Sequence, residues 1–177
     1  MVKTSIDYRE EYGYMKEFQI SLGTAFKRDP NDPRFDFYDN LADALEDLGK
    51  KTFVPYRDIN HGWSKKKIRD IITNIVVPSS DLVLADVKIP DYISELIVSR
   101  ASELEIPFIS FFTNFSYEEA RKLLLRCRLI EKECSLEELQ REWEVVKRIA
   151  GRVVELENDK DGLEKMVDLV KEFYGIC

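Results

Sequence analysis

The chain has 177 residues, of which 44% are hydrophobic, so it can bury one core and form a single domain. Its formal net charge of -7 argues against a protein whose main partner is a nucleic-acid backbone. No segment approaches the roughly 18 consecutive apolar residues of a membrane span, and the polar start Met1–Asp7 is unlike a signal peptide, so we expect a cytoplasmic protein without a membrane partner.

The cysteine and histidine content does not favour a metal site. Cys127, Cys134 and Cys177 lack metal-type spacing, and His61 is the single histidine. A structural zinc ion is therefore not expected. Charged residues make up 34% of the chain and glutamine occurs only at positions 19 and 140, a balance reported for thermophile proteins.

The first strand and helix are predicted at residues 18–24 and 34–48. A short apolar run ends at Gly23 and a small polar residue, which is typical of a strand that leads into a loop. The apolar positions between 34 and 48 then recur at helical spacing, and Gly49 follows as a stop signal.

A second unit combines a strand at 51–55 with a helix at 64–77. A loop carrying residues 56–62 separates them. The isoleucines and valine of the helix fall at positions i, i+3, i+4, i+7 and i+8, which predicts one buried face. We expect Pro78 to close this helix.

Strands and helices continue to alternate after this point. A strand is predicted at 81–86, a helix at 92–104 and an almost continuously apolar strand at 106–112. A fifth strand at 152–156 and a last helix, with Leu163, Met166, Val167 and Val170 facing inward, complete the series.

Alternation of this kind predicts an α/β fold, a three-layer, flavodoxin-like, doubly wound parallel sheet of about five strands. We divide the chain into a leader at 1–17, an α/β core at 18–115, and a C-terminal extension at 116–177 that completes the same domain. Capping boxes begin two amphipathic helices between 116 and 150. This pair packs on the sheet or, in the alternative interpretation, forms a homodimer with a second copy.

Three segments lie at or after the ends of predicted strands: Ile20–Phe26 at the first, Phe53–Asp58 after the second, and Asp81–Asp86 leading to Glu95. Together they resemble the nucleoside 2-deoxyribosyltransferase family. The resemblance covers roughly residues 18 to 112 and implies a flavodoxin-like sheet. It also implies cleavage of the N-glycosidic bond between a ribose or deoxyribose and a base, with Glu95 as the nucleophile.

The same stretch is similar to TIR (Toll/interleukin-1 receptor) domains. In that family too a glutamate lies in the helix after the third strand, as in Tyr92–Glu95, and an Arg-Asp pair follows the second strand, as Arg57-Asp58 does here. Some TIR domains cleave NAD at the nicotinamide bond, whereas others only assemble signalling complexes. Both resemblances therefore imply N-glycoside chemistry at Glu95.

Catalytic roles are predicted for three carboxylates. Glu95 would attack the anomeric carbon or stabilise its oxocarbenium character, and Asp70 or Asp86 would assist departure of the base. Such a mechanism requires no metal or other cofactor. Each residue also has a structural interpretation: Glu95 as a first-turn acid favoured by the helix dipole, Asp86 as a turn or cap residue, and Asp70 as a solvated charge.

Substrate-binding roles are predicted at the carboxyl ends of the strands, where open α/β sheets bind ligands. Cations in the first turn of the helix at 64–77 oppose its dipole, so we expect a nucleotide phosphate to compensate them, or else a solvated basic face. The residues assigned to substrate binding are Gly23, Thr24, Phe26, Tyr56, Arg57, Asp58, His61, Lys65 and Ser94.

The sequence thus favours a nucleoside or nucleotide N-glycosidic hydrolase or transferase, with no nucleic-acid partner. The alternatives are a non-catalytic TIR-like module that senses a nucleotide or assembles with other proteins, and an NAD-cleaving glycohydrolase. The base, the sugar and the acceptor stay open at this stage.

Overall fold

The computed structural model describes residues 11–86, 92–113, 152–156 and 159–177. These residues form a five-stranded parallel sheet in the order β2-β1-β3-β4-β5. The strands are β1 at Ile20–Gly23, β2 at Thr52–Phe53, β3 at Leu82–Asp86, β4 at Phe108–Thr113 and β5 at Arg152–Leu156. This strand order confirms the predicted flavodoxin-like, doubly wound fold.

Four helices cover the sheet in the described part of the chain. They are α1 at Arg34–Asp47, α2, α3 at Tyr92–Glu103 and α4 at Asp159–Tyr174. Helix α2 consists of three consecutive segments, Lys65–Ile71, Ile72–Val76 and Val77–Ser79. Short helical turns also occur at Gly13–Glu17 and Pro55–Asp58. None of the described helices is both long and apolar enough to cross a membrane.

Alternate residues of β3 face opposite layers, as the two-residue period of a strand requires. Leu82 and Leu84 belong to a core shared with α1 and α4, whereas Val83 and Ala85 belong to a second core shared with α2 and α3. All four side chains are buried, and a fully buried leucine or valine contributes roughly 1.5–3 kcal/mol. The sheet is therefore the middle of three layers, as predicted.

The inward faces predicted for two helices are confirmed. Ile68, Ile71, Ile72, Ile75 and Val76 of α2 are all buried in the second core. In α4, Met166 and Val170 are buried in the first core, and Leu163 and Val167 pack against it half-buried.

Helix α2 ends at Ser79, one residue after Pro78, so the proline lies in its last turn and the predicted end is displaced by two residues. Before the proline, α2 widens into a π-helical segment at Ile72–Val76. The Val77 N–H bonds to the Ile72 carbonyl, a π-type bond, and Pro78 has no N–H to donate. The wider turn therefore carries the helix past the proline.

The segment predicted as a loop after β2 begins with a helical turn at Pro55–Asp58. Pro55 occupies the first helical position, where its fixed φ fits and no N–H is needed. The Asp58 carboxylate accepts a hydrogen bond from the Val54 N–H at 2.7 Å. This hydrogen bond thus links the residue before the turn to the last residue of the turn.

Some predictions fall outside the described residues, including the helix pair at 116–150 and its homodimer interface. The division of the chain into leader, core and extension stays a prediction. Within the predicted leader, however, Met15 is only 2% exposed and packs in the second core.

Candidate functional site

The chain reverses its direction of strand addition between β1 and β3, which makes their carboxyl ends the topological switch point. Gly23 ends β1 and pairs with Ala85 of β3. A Cβ on Gly23 would lie 3.1 Å from the Ala85 Cβ and 3.3 Å from its Cα. The close approach of the two strands therefore favours glycine at position 23.

Thr24 is the first residue beyond β1 at this edge. Its side chain is fully buried, and its Oγ1 has no hydrogen-bond partner among the residues that the structure describes. A buried hydroxyl left unbonded costs about 1–3 kcal/mol. Native proteins rarely retain such a group without a reason, so Thr24 is a candidate for binding a ligand.

Glu95 and Ser94 lie at the start of α3, which packs against both β1 and β3. Ser94 is buried, whereas Glu95 is exposed in the first helical turn. The positive end of the helix dipole stabilises a carboxylate at that position. The structure therefore presents the Glu95 side chain to solvent at the start of α3.

Asp86 ends β3 and is 4% exposed. The hydroxyl of Tyr38, from the first core, donates a hydrogen bond to its Oδ2. Burial and the Asp86 charge raise the pKa of Tyr38 far above its ordinary value of 10.0. The guanidinium of Arg34, whose pKa is raised mainly by its hydrogen bond to Asp32, also feels the Asp86 charge. Asp86 is thus held in a buried polar cluster that the sequence did not reveal.

Asp70, the other predicted acid, is half-buried on α2 rather than at a strand end. It is the sixth residue of that helix, about 7.5 Å along the axis from the first residue at 1.5 Å per residue. Glu95, by contrast, lies in the first turn of its own helix.

The three predicted binding residues after β2 are engaged with the protein itself. The Tyr56 hydroxyl donates to Asp39 Oδ1 at 2.7 Å, and burial raises the pKa of Tyr56 far above its ordinary value. Arg57 donates to a Glu46 carboxylate oxygen and to the Thr52 carbonyl, both at 2.7 Å.

The Asp58 carboxylate accepts a hydrogen bond from the Val54 N–H. Burial raises its pKa, against the opposing effects of that backbone bond and of Arg57. These contacts give Tyr56, Arg57 and Asp58 structural partners that any ligand would have to displace.

The remaining predicted residues lie around the loop before α2. The rings of Phe26 and His61 are in contact, with centroids 4.8 Å apart, and the His61 side chain is exposed. Lys65 is exposed in the first turn of α2, where Ser64 caps the helix by accepting from the Lys67 N–H at 3.2 Å.

One of the three first-turn lysines is compensated internally. The Nζ of Lys67 lies 4.3 Å from the Tyr12 ring centroid and 4.7 Å from that of Trp63. Cation–π attraction therefore stabilises Lys67. The neighbouring charges of Lys65 and Lys66 remain at the exposed surface.

The described residues contain no group of three or more side chains that could hold a metal ion. The segments that follow β1, β2 and β3 carry an exposed carboxylate at Glu95, the buried hydroxyl of Thr24, the Phe26–His61 ring pair and the exposed Lys65. Such a set can bind a polar organic ligand and stabilise a positive charge that develops on it.

Comparison with solved structures recovers a similar fold. TIR domains from the structure of the activated Roq1 resistosome directly recognizing the pathogen effector XopQ align with a TM-score of 0.53 and 16% sequence identity. The alignment covers 89% of this chain and 99% of that chain. No known protein family and no curated protein matches the sequence.

At this identity the likeness establishes the fold alone. The predicted similarity to TIR domains is thereby confirmed at the level of architecture. The finer resemblance to nucleoside 2-deoxyribosyltransferases stays a prediction.

Proposed function

We propose that the chain is a TIR-like nucleotide-binding module that cleaves the nicotinamide N-glycosidic bond of NAD. The observation that carries the proposal is Glu95, an exposed carboxylate in the first helical turn after β3, beside the switch point of a TIR-like sheet. Ligands bind at such edges in open α/β sheets.

The role of Glu95 follows from the charge that develops during cleavage. As the bond between the anomeric carbon and the nicotinamide nitrogen breaks, its electron pair leaves with the base and the sugar acquires oxocarbenium character. A carboxylate next to the sugar stabilises that cation or bonds to it. Water then attacks the anomeric carbon, and the products are ADP-ribose, nicotinamide and a proton.

The environment of Asp86 favours NAD over a neutral nucleoside as the substrate. A neutral base needs a proton to leave, and its donor must reach the reacting nitrogen. The Asp86 carboxylate accepts the hydrogen bond of the Tyr38 hydroxyl, which leaves it poorly suited to act as a proton donor. Nicotinamide is cationic in NAD and leaves as a neutral molecule, so Glu95 alone supplies the carboxylate that the bond cleavage requires.

The groups around the switch point are suited to the rest of the dinucleotide. Thr24 offers an unbonded hydroxyl, and the ring pair of Phe26 and His61 offers an apolar surface with a polar edge. Lys65 offers an exposed ammonium for a phosphate. Arg57 is a weaker candidate for phosphate binding because Glu46 and the Thr52 carbonyl already accept from it.

The test of function is release of nicotinamide from NAD by the purified chain, followed by chromatography. Glu95→Gln should lower the rate by roughly 100-fold or more, since the amide keeps the shape but not the charge. Glu164→Gln, which removes an exposed carboxylate from α4, is the matched control and should be as active as wild type. Equal rates for wild type and Glu95→Gln would exclude Glu95 as the catalyst.

The phosphate contact has its own test. Lys65→Glu should weaken NAD binding, whereas Lys171→Glu, the same charge reversal on α4, should not. Unchanged NAD binding in Lys65→Glu would show that Lys65 belongs to a solvated basic face and does not contact a phosphate.

A second candidate function is protein assembly, favoured by the exposure of Tyr92. This side chain is 55% exposed at the first position of α3, beside Glu95, and tyrosine is enriched in protein interfaces. If the chain releases no nicotinamide, forms oligomers in sedimentation equilibrium, and Tyr92→Ser dissociates them, assembly replaces catalysis as the function. A monomer at all concentrations would rule out self-assembly through Tyr92.

A further inference from the structure

A polar groove of about 330 Å³ lies between the π-helical segment of α2 and the outward face of α3. Arg69 and Arg100 line it from opposite helices, together with Asn74, Ser99 and Glu103. These residues carry a net positive charge of one, two guanidiniums against one carboxylate, on a chain whose net charge is -7. The sign of the groove is thus opposite to that of the protein.

Arg100 is fixed in this groove by a carbonyl that the π-turn releases. In a regular α-helix the Val77 N–H would bond to the Thr73 carbonyl, but here it bonds to the Ile72 carbonyl. In the π register the donor to Thr73 would be residue 78, which is a proline and has no N–H. The Arg100 Nε donates to the Thr73 carbonyl instead, at 2.9 Å.

The rest of the Arg100 guanidinium is only lightly engaged. Its Nη1 donates to a Glu103 carboxylate oxygen at 2.8 Å, but the Glu103 side chain is 61% exposed, and exposed ion pairs contribute at most about 1 kcal/mol. A ligand oxyanion can therefore compete with Glu103 for Arg100. Arg69 is exposed, and in the described part of the chain it makes no ion pair.

We propose that this groove is a binding site for the phosphate of a small polar molecule. Two guanidiniums match the geometry and charge of a phosphate oxyanion. The Ser99 hydroxyl and the Asn74 amide, both exposed beside them, are suited to the hydroxyl groups of an attached sugar. Arg100 is a binding residue, and Pro78 is a positioning residue that acts through the π-turn.

The site is distinct from the proposed NAD edge but shares a helix with it. Ser99 is four residues after Glu95 on α3, so the two side chains are neighbours one turn apart on the same face. A ligand in the groove would therefore lie within one helical turn of Glu95.

The experiment is a titration of the full chain with inorganic phosphate and with ribose 5-phosphate at constant ionic strength, followed by NMR of nitrogen-labelled protein. The Nε–H signals of Arg69 and Arg100 should shift and saturate with both probes. Tighter binding of ribose 5-phosphate would support a contribution from Ser99 and Asn74, and equal binding would support a site for phosphate alone. No saturable shift with either probe would overturn the proposal.

Variants separate a built site from general surface charge. Arg69→Ala should lower the affinity by about tenfold, the size expected for one charge-assisted contact, and should not disturb folding because its side chain is exposed. Lys16→Ala, which removes an exposed cation elsewhere, should leave the affinity unchanged. Equal losses of phosphate affinity in Arg69→Ala and Lys16→Ala would show that the binding reflects only the net charge of the protein, and would overturn the proposal.

Two further variants test how Arg100 is held. Arg100→Lys keeps the charge but loses the planar fork, and should bind phosphate several-fold more weakly. Pro78→Ala restores an N–H to residue 78, which allows α2 to return to regular helical bonding and to take the Thr73 carbonyl from Arg100. A lower phosphate affinity in Pro78→Ala is expected, and an unchanged affinity would refute the role of the π-turn.

Discussion

Replacing Tyr38 by phenylalanine removes the hydroxyl that fixes the carboxyl end of β3. Tyr38 is fully buried and Asp86 is 4% exposed, so water cannot replace the lost hydrogen bond. Hydrogen bonds to charged groups contribute about 1.5–3 kcal/mol. We therefore expect Tyr38→Phe to lower the free energy of unfolding by about 1.5–3 kcal/mol at neutral pH, measured by urea unfolding with circular dichroism.

Tyr56→Phe is the matched control for this change. It also removes a hydroxyl that donates to a carboxylate, but the Asp39 side chain is 32% exposed and is paired with Arg28 at 3.0 Å. Water can reach Asp39, so the expected loss is below about 1 kcal/mol. If Tyr38→Phe costs no more than Tyr56→Phe, the reasoning about burial of the Asp86 cluster is refuted.

Two other outcomes follow from the strand contact and from the buried hydroxyls. Gly23→Ala should lower the free energy of unfolding by about 1–3 kcal/mol, because the new Cβ would lie 3.1 Å from the Ala85 Cβ. Gly13→Ala is the control, since a Cβ there meets nothing within 4 Å. An equal loss of stability at both positions would contradict the close approach of β1 and β3. Three tyrosines of the described residues have pKa values raised in the folded state, with burial as the first cause, while all eight in the chain have the ordinary value near 10.0 once unfolded. Their contribution to stability is present in full below pH 10 and is lost as the pH rises above it, because only the unfolded state then releases these protons. Alkaline titration of tyrosinate absorbance should show a late group that ionises on unfolding, and a single wave near pH 10 for all eight would contradict the assignment. The late group is Tyr38, Tyr56 and Tyr174.

The layered fold was predictable because its signals are local. Each strand is a short apolar run, and each helix repeats its apolar residues at a spacing that needs no knowledge of distant contacts. The isoleucines of α2 show this well, since every one of them is buried where the spacing predicts. The position of Glu95 was predictable from the same local signals, because a carboxylate early in the helix after β3 must lie near the carboxyl edge of the sheet.

The contacts that shape the site were not predictable in this way. Tyr38 and Asp86 are 48 residues apart, and only the packing of α1 against the sheet brings them together. A tyrosine on the buried stripe of a helix does signal that its hydroxyl needs a partner, but the sequence does not name that partner. Pro78 correctly signals the end of α2, which comes at Ser79, but the π-helical segment that precedes the proline has no signal in the sequence.

Mapping the bound dinucleotide tests the central claim most directly. Glu95→Gln should bind NAD without cleaving it, so the complex can be followed by amide shifts in nitrogen-labelled protein. We predict that the largest shifts fall at the switch-point edge, at Gly23, Thr24, His61 and Ser94. Saturable binding with shifts confined to other surfaces, or no binding at millimolar NAD, would contradict the account.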